Sequence, residues 1–211
     1  MISRIRLAQA DVVTSGRANV GIAISHDYGD DEDHGVHSRY KSEPARRLAL
    51  ELVRHAYRGT TLNGTLAAQA PTPMGKAMVI ERNATSVKVA VPLSDAETGL
   101  ALMPTTKCEV QYSGQCCGNA SFPAPLGPVL GRLCTTANAS ECNAADGSKV
   151  VLANVTVDVD RHLIFSGLLG DAAATVHWVD FSLTDFPQCA VRNGAGLAVG
   201  PFGPLKVMQM A

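Results

Sequence analysis

Between Ser25 and His37 the run SHDYGDDEDHGVH places four aspartates, one glutamate and three histidines, and a basic, leucine-rich segment follows it. His26, Asp27, Asp30, Asp31, Asp33, His34 and His37 all carry groups that could ligate a metal or move a proton. The spacing serves metal binding poorly. An EF-hand loop wants acidic or amide groups at alternate positions, a glycine at six and a glutamate at twelve, and a helical zinc site wants His-x-x-x-His. Neither pattern is present, so no metal or other cofactor is expected. Proton transfer fits better, because an aspartate a few residues upstream can hold an imidazole through Nδ1 and leave Nε2 free to deprotonate a serine. Acidic loops are also commonly just solvated, and the residues alone leave both readings open.

The elements around the loop give it a place. Val20, Ile22, Ala23 and Ile24 carry few charges among them and read as a strand covered on both sides. Reactive groups of open α/β sheets collect beyond the carboxyl ends of such strands, which is where this loop begins. Residues 1–13 read as a helix with a rough apolar face of Ile2, Ile5, Leu7 and Val12. After the loop, Ser42 suits an N-cap, Pro44 falls in a first turn where its missing N–H costs nothing, and Gly59 can close the helix. Leu48, Leu52 and Ala56, flanked by Ala49 and Val53, keep the spacing of a core-facing stripe. Helix, strand, loop and helix make half of an α/β unit ending near residue 59.

From about residue 60 the pattern becomes one of strands, and the boundary falls near residues 59–73. Two β-rich runs at 77–81 and 86–91 suit a hairpin, and further strands are expected at 108–112, 149–159, 161–165 and 174–181. VTVDVD alternates apolar and polar residues as a half-exposed strand does. Six cysteines, Cys108, Cys116, Cys117, Cys134, Cys142 and Cys189, follow no zinc-ribbon spacing and are candidates for up to three disulfides. Residues 74–211 therefore read as a disulfide-tied β-sandwich.

Composition narrows the partners. With 18 Lys plus Arg against 19 Asp plus Glu, no basic face is available for nucleic acid. No apolar run reaches the roughly 20 residues of a membrane-spanning helix. Five sequons, Asn63, Asn83, Asn119, Asn138 and Asn154, join the cysteines in pointing to the secretory pathway. MISRIRLAQADVV lacks the apolar run of a signal peptide, which is most simply reconciled if the true beginning is missing.

The segments IRLAQADVV, ANVGIAISHDYGD and VHSRYKSEPARRLALELVRHAYRG together resemble the closing part of the esterase domain in sialate O-acetylesterases, members of the SGNH (GDSL-like) hydrolases. The match covers about residues 5–59. VHWVDFSLTDFPQCAVRNGAGLAVGPF is similar, more loosely, to the closing stretch of that family, through Trp178, Pro187, Cys189 and LAVGPF. The resemblance implies the last strand and helices of a flavodoxin-like esterase domain at 1–59, with a β-sandwich at 74–211. It further implies hydrolysis of acetyl esters on O-acetylated sialic acids or related glycans, in a lysosomal or extracellular setting. The family's "IHP" histidine falls on His37, the implied base. Asp33 is the first choice to orient it and Asp30 the second, because His34 occupies the position three residues before. Ser38 replaces the family's proline.

The nucleophile motif of that family, a GQSNM-like block, does not occur in the sequence, and Ser15 and Ser25 lie in other contexts. A fragment lacking the nucleophile half is the expectation, with the amino-terminal part of the esterase domain as its missing partner. The alternative is a non-catalytic carbohydrate-binding or structural β-module, in which Tyr112, Trp178 and Phe181 could stack on sugar rings.

Overall fold

The computed structural model describes residues 5, 7–9, 11–12, 20–25, 41–56, 69–94, 99–102, 130–143, 149–181 and 191–210. The described residues between 5 and 12 are helical, as their apolar spacing predicts. Helix α1 (Ser42–Ala56) starts one residue earlier than an N-cap at Ser42 would have it. None of the described helices is long and apolar enough to cross a membrane.

The remainder is sheet. Strands β1 (Ala77–Arg82), β2 (Ser86–Pro92), β4 (Leu130–Cys134), β5 (Val150–Val157), β6 (His162–Leu168), β7 (Trp178–Phe181) and β9 (Phe202–Met208) form a closed barrel in the order β1-β2-β6-β5-β4-β7-β9. Two shorter strands, β3 (Leu100–Leu102) and β8 (Val191–Asn193), pair antiparallel beside it. Neighbours in the barrel run antiparallel except at the seam, where β9 lies parallel to β1 with Ala77 opposite Val207 and Met78 opposite Met208. Closure leaves the barrel without an open edge.

Alternation explains the inside. Val87, Val89 and Val91 of β2, Ala153 and Val155 of β5, and Leu163 and Phe165 of β6 are buried, while Leu152, Asn154 and Thr156 of β5 are exposed. Three phenylalanines fill the centre: Phe165 meets Phe181 and Phe202 edge-on at 6.2 and 6.3 Å, and Phe181 and Phe202 stack at 5.6 Å. Gly131 is the space that admits Phe165. A Cβ there would lie 2.2 Å from Phe165 Cε1 and 3.1 Å from Asp180 O. Gly131→Ala should therefore lower stability by about 1–3 kcal/mol through overpacking. Urea unfolding checks it, and an unchanged midpoint would mean that the Phe165 ring moves aside freely.

The structure corrects the expected fold. It is mostly sheet with few helices, built on a closed seven-stranded barrel, and not a flavodoxin-like α/β fragment followed by a β-sandwich. Two features of the α/β reading fail individually. Residues 20–25 form no regular strand. The stripe assigned to the core on α1 faces solvent, with Leu48 and Leu52 61% and 62% exposed, while Arg47 and Glu51 are 1% and 8% exposed. The physical reason is that this helix packs against backbone carbonyls rather than against an apolar sheet.

The hairpin expected at 77–91 is present as β1 and β2, paired antiparallel. The strands expected at 149–159 and 161–165 correspond to β5 and β6, and 174–181 contributes β7. The strand expected at 108–112 lies outside the described residues.

Candidate functional site

The described residues that flank the His37 loop in sequence are 20–25 and α1, and both meet the turn after β8. Asn193 builds that turn. Its Oδ1 accepts the N–H groups of Ala195 and Leu197 at 3.1 and 3.0 Å, and its Nδ2 donates to Gln69 O at 2.8 Å. Gly196 supplies the left-handed backbone, with φ 77°, that lets the chain reverse there. The reversal turns the carbonyls of residues 195 and 196 toward α1. Arg46 Nη2 donates to Ala195 O at 3.2 Å and Arg47 Nη2 to Gly196 O at 3.0 Å.

Arg47 is the centre of the junction. Its Nη1 donates to Ile24 O and its Nε donates to Glu43 Oε1 at 3.2 Å, so one guanidinium ties three parts of the chain together. A fork of five N–H donors on a rigid plane suits that task, and a lysine could not reach all three acceptors. Hydrogen bonding from Arg46 holds the Glu43 carboxyl below its ordinary range, and Arg47 adds to the effect against a modest cost of burial. Beside them Glu51 accepts from Arg54 Nη2 at 2.6 Å. Residues 20–25 press close: a Cβ on Gly21 would meet Glu51 Oε2 at 2.7 Å and His55 Nε2 at 2.8 Å. A narrow crevice remains, lined in part by Ile22, Ile24, Arg47, Leu197 and Ala198. It has no exposed nucleophile and is a positioning feature.

His37, Asp33 and Asp30, as well as His26, Asp27, Asp31 and His34, lie outside the described residues. So do Asn63, Asn119, Tyr112, Pro187, Cys108, Cys116, Cys117 and Cys189. The described sequon residues Asn83, Asn138 and Asn154 are exposed. In the β1–β2 turn Asn83 Oδ1 accepts the N–H groups of Thr85 and Ser86 at 3.1 and 2.8 Å, and its backbone N–H donates to Ser86 O at 3.0 Å. Cys134 and Cys142 are joined in a disulfide that ties the end of β4 to the short helix Ala139–Asn143. Phe181 is fully buried, which removes it as a sugar platform. Trp178 is half-buried, and its indole N–H donates to Ala137 O at 3.2 Å.

Two polar constellations escaped sequence reasoning. Asp158, Asp160 and His162 meet at the β5–β6 hairpin with potential ligand atoms within 4.8 Å of one another, the one such trio among the described residues. VTVDVD reads as simple alternation, and that alternation hid them. Asp158 accepts the His162 backbone N–H at 2.7 Å and lies 2.9 Å from its Nδ1. Burial pushes the Asp158 carboxyl up, but the His162 backbone N–H and ring outweigh it and hold the carboxyl below its ordinary value.

The second constellation is Asp180 on β7, whose carboxylate takes two bonds from Arg132 of β4, at 2.8 Å from Nε and 2.7 Å from Nη2. Asp180 is 3% exposed, and burial raises its pKa against the pull of Arg132. A charged residue inside the apolar run WVDF was the available signal.

No family model matches the chain, and no curated protein matches it.

Proposed function

We propose that the chain is the base-bearing, carboxyl-terminal portion of a sialate O-acetylesterase-like serine esterase. One observation carries the reading. The two stretches in which the sequence resembles that family, about residues 5–59 and 176–202, are separate in the chain, and Arg47 of the first bonds Gly196 O of the second. A buried guanidinium joining the two lends support to their being parts of one inherited unit. It also fixes α1, the element into which the His37 loop leads.

In this reading His37 takes the proton of a serine as it attacks the acetyl carbonyl, then returns it to the departing sugar hydroxyl. Asp33, or Asp30 in its place, orients the ring, and backbone donors stabilise the oxyanion. The serine comes from outside these 211 residues, because no GQSNM-like block stands in them. The substrate is an O-acetylated sialic acid or a related acetylated glycan. Five sequons and the Cys134–Cys142 bond favour a lysosomal or extracellular setting.

The chain alone should release no acetate from O-acetylated sialic acid or 4-nitrophenyl acetate above the rate of its His37→Ala variant. Co-folded with a polypeptide bearing a GQSNM-like serine block, it should hydrolyse both, and His37→Ala should cut that rate by a factor on the order of 10⁴ or more. An inactive co-folded pair would sink the proposal. So would turnover by the chain alone that is lost in His37→Ala, because the serine would then lie within these residues.

A further inference from the structure

The barrel seam has an outer face that the esterase reading does not use. Of the chain's six methionines, Met78 lies on β1, Met208 on β9 and Met210 just beyond it. The parallel register makes Met78 and Met208 direct partners. Gln209 Nε2 donates to Val176 O at 2.7 Å, and Met210 follows two residues after Met208. Met78, Met208 and Met210 are 43%, 47% and 59% exposed, so their thioethers reach solvent.

We propose that Met78, Met208 and Met210 form a thioether site for a soft monovalent cation, Cu(I) or its redox-inert analogue Ag(I). Neighbouring strands are about 4.8 Å apart and alternate residues of one strand about 6.6 Å apart, so three long, unbranched side chains can bring their sulfurs onto one ion. Thioether sulfur prefers soft cations, and Ca²⁺ and Mg²⁺ want the oxygen donors that this face lacks at its centre. Lys76 and Lys206 are exposed one register step away. Their charges oppose any cation weakly through solvent and salt, so only an ion that gains from sulfur coordination is retained. The proposal is independent of the esterase reading.

Replacement by leucine keeps the apolar shape and removes only the sulfur. Titrated with Ag(I) alone, the disulfide-intact chain should bind one equivalent more than the M78L/M208L/M210L variant, and Met208→Leu alone should weaken that equivalent at least tenfold. The methyl resonances of Met78, Met208 and Met210 should shift together and saturate at one equivalent of Ag(I), and not shift with Ca²⁺. Equal binding by the native chain and the triple variant would overturn the site, as would methyl resonances that stay fixed while Ag(I) binds elsewhere.

Discussion

Arg47→Met should free α1 from the barrel and leave the barrel folded. The substitution keeps an unbranched stem of similar length, so packing volume changes little. What goes is the charged fork. Ile24 O and Gly196 O, both partly buried, each lose a donor, and a carbonyl left without one away from water costs about 1–3 kcal/mol. Glu43 loses one of its two arginine partners but keeps Arg46 and is reached by water, so its share is small. Together the junction should weaken by about 3 kcal/mol. Arg46 keeps its bond to Ala195 O, but Leu48 and Leu52 point away into solvent and add no apolar grip. Hydrogen exchange reads the outcome directly: α1 amides should lose protection by a factor on the order of 10², while β2, β5 and β6 amides keep theirs. Arg47→Lys should recover only part, since an ammonium cannot span all three acceptors. Unchanged α1 protection in Arg47→Met would show that the clamp does not hold the helix, and a collapse of every strand would show that it holds the whole molecule.

The orientation of α1 marks the limit of what periodicity can reveal. The spacing of Leu48, Leu52 and Ala56 correctly predicts a helix after Ser42, described here over 42–56, yet it says nothing about which face finds a partner. A helix whose neighbours are the carbonyls of residues 24, 195 and 196 turns its arginines inward instead. Barrel closure was hidden for a related reason. Alternation in β2, β5 and β6 reports which side is buried, and a sandwich and a barrel bury the same side. The closing strand FGPLKVM carries Gly203 at φ 122° and Pro204, which disguise it as a loop. Gly203 is required there, because a Cβ would lie 2.3 Å from Asp180 Cβ. Cysteine content did foretell a disulfide, but spacing could not select Cys134 and Cys142 from six candidates. Asp180 stood in view within WVDF, and its meaning depended on Arg132, 48 residues away. The proposed catalytic pair of His37 and Asp33 was legible only through resemblance, since acidic residues near a histidine are equally at home in a solvated loop.

Arg132→Leu should produce a barrel whose stability rises, relative to the native chain, as the solution is acidified. In the native protein burial raises the Asp180 pKa, and the two bonds from Arg132 work against that rise. Leucine removes the counterweight and leaves a carboxylate that is 3% exposed without its guanidinium. At neutral pH the loss should be about 3 kcal/mol, the low end for breaking a buried pair, because Arg132 is itself 26% exposed. An unfolded aspartate titrates near 3.8, and the folded Asp180 of the variant titrates well above that. Between the two values the unfolded chain is ionised first, so rising pH favours unfolding and falling pH favours the fold. The deficit should therefore be full at neutral pH, shrink as the solution passes down through the raised pKa, and be smallest below about 3.8. Asp180→Asn added to Arg132→Leu should remove this pH dependence, because no charge is left to bury. Urea midpoints for the native chain and both variants at neutral and acid pH decide it. A deficit of the same size at both would mean that Arg132 supports the barrel through packing of its stem, and that the buried charge on Asp180 is satisfied by other groups.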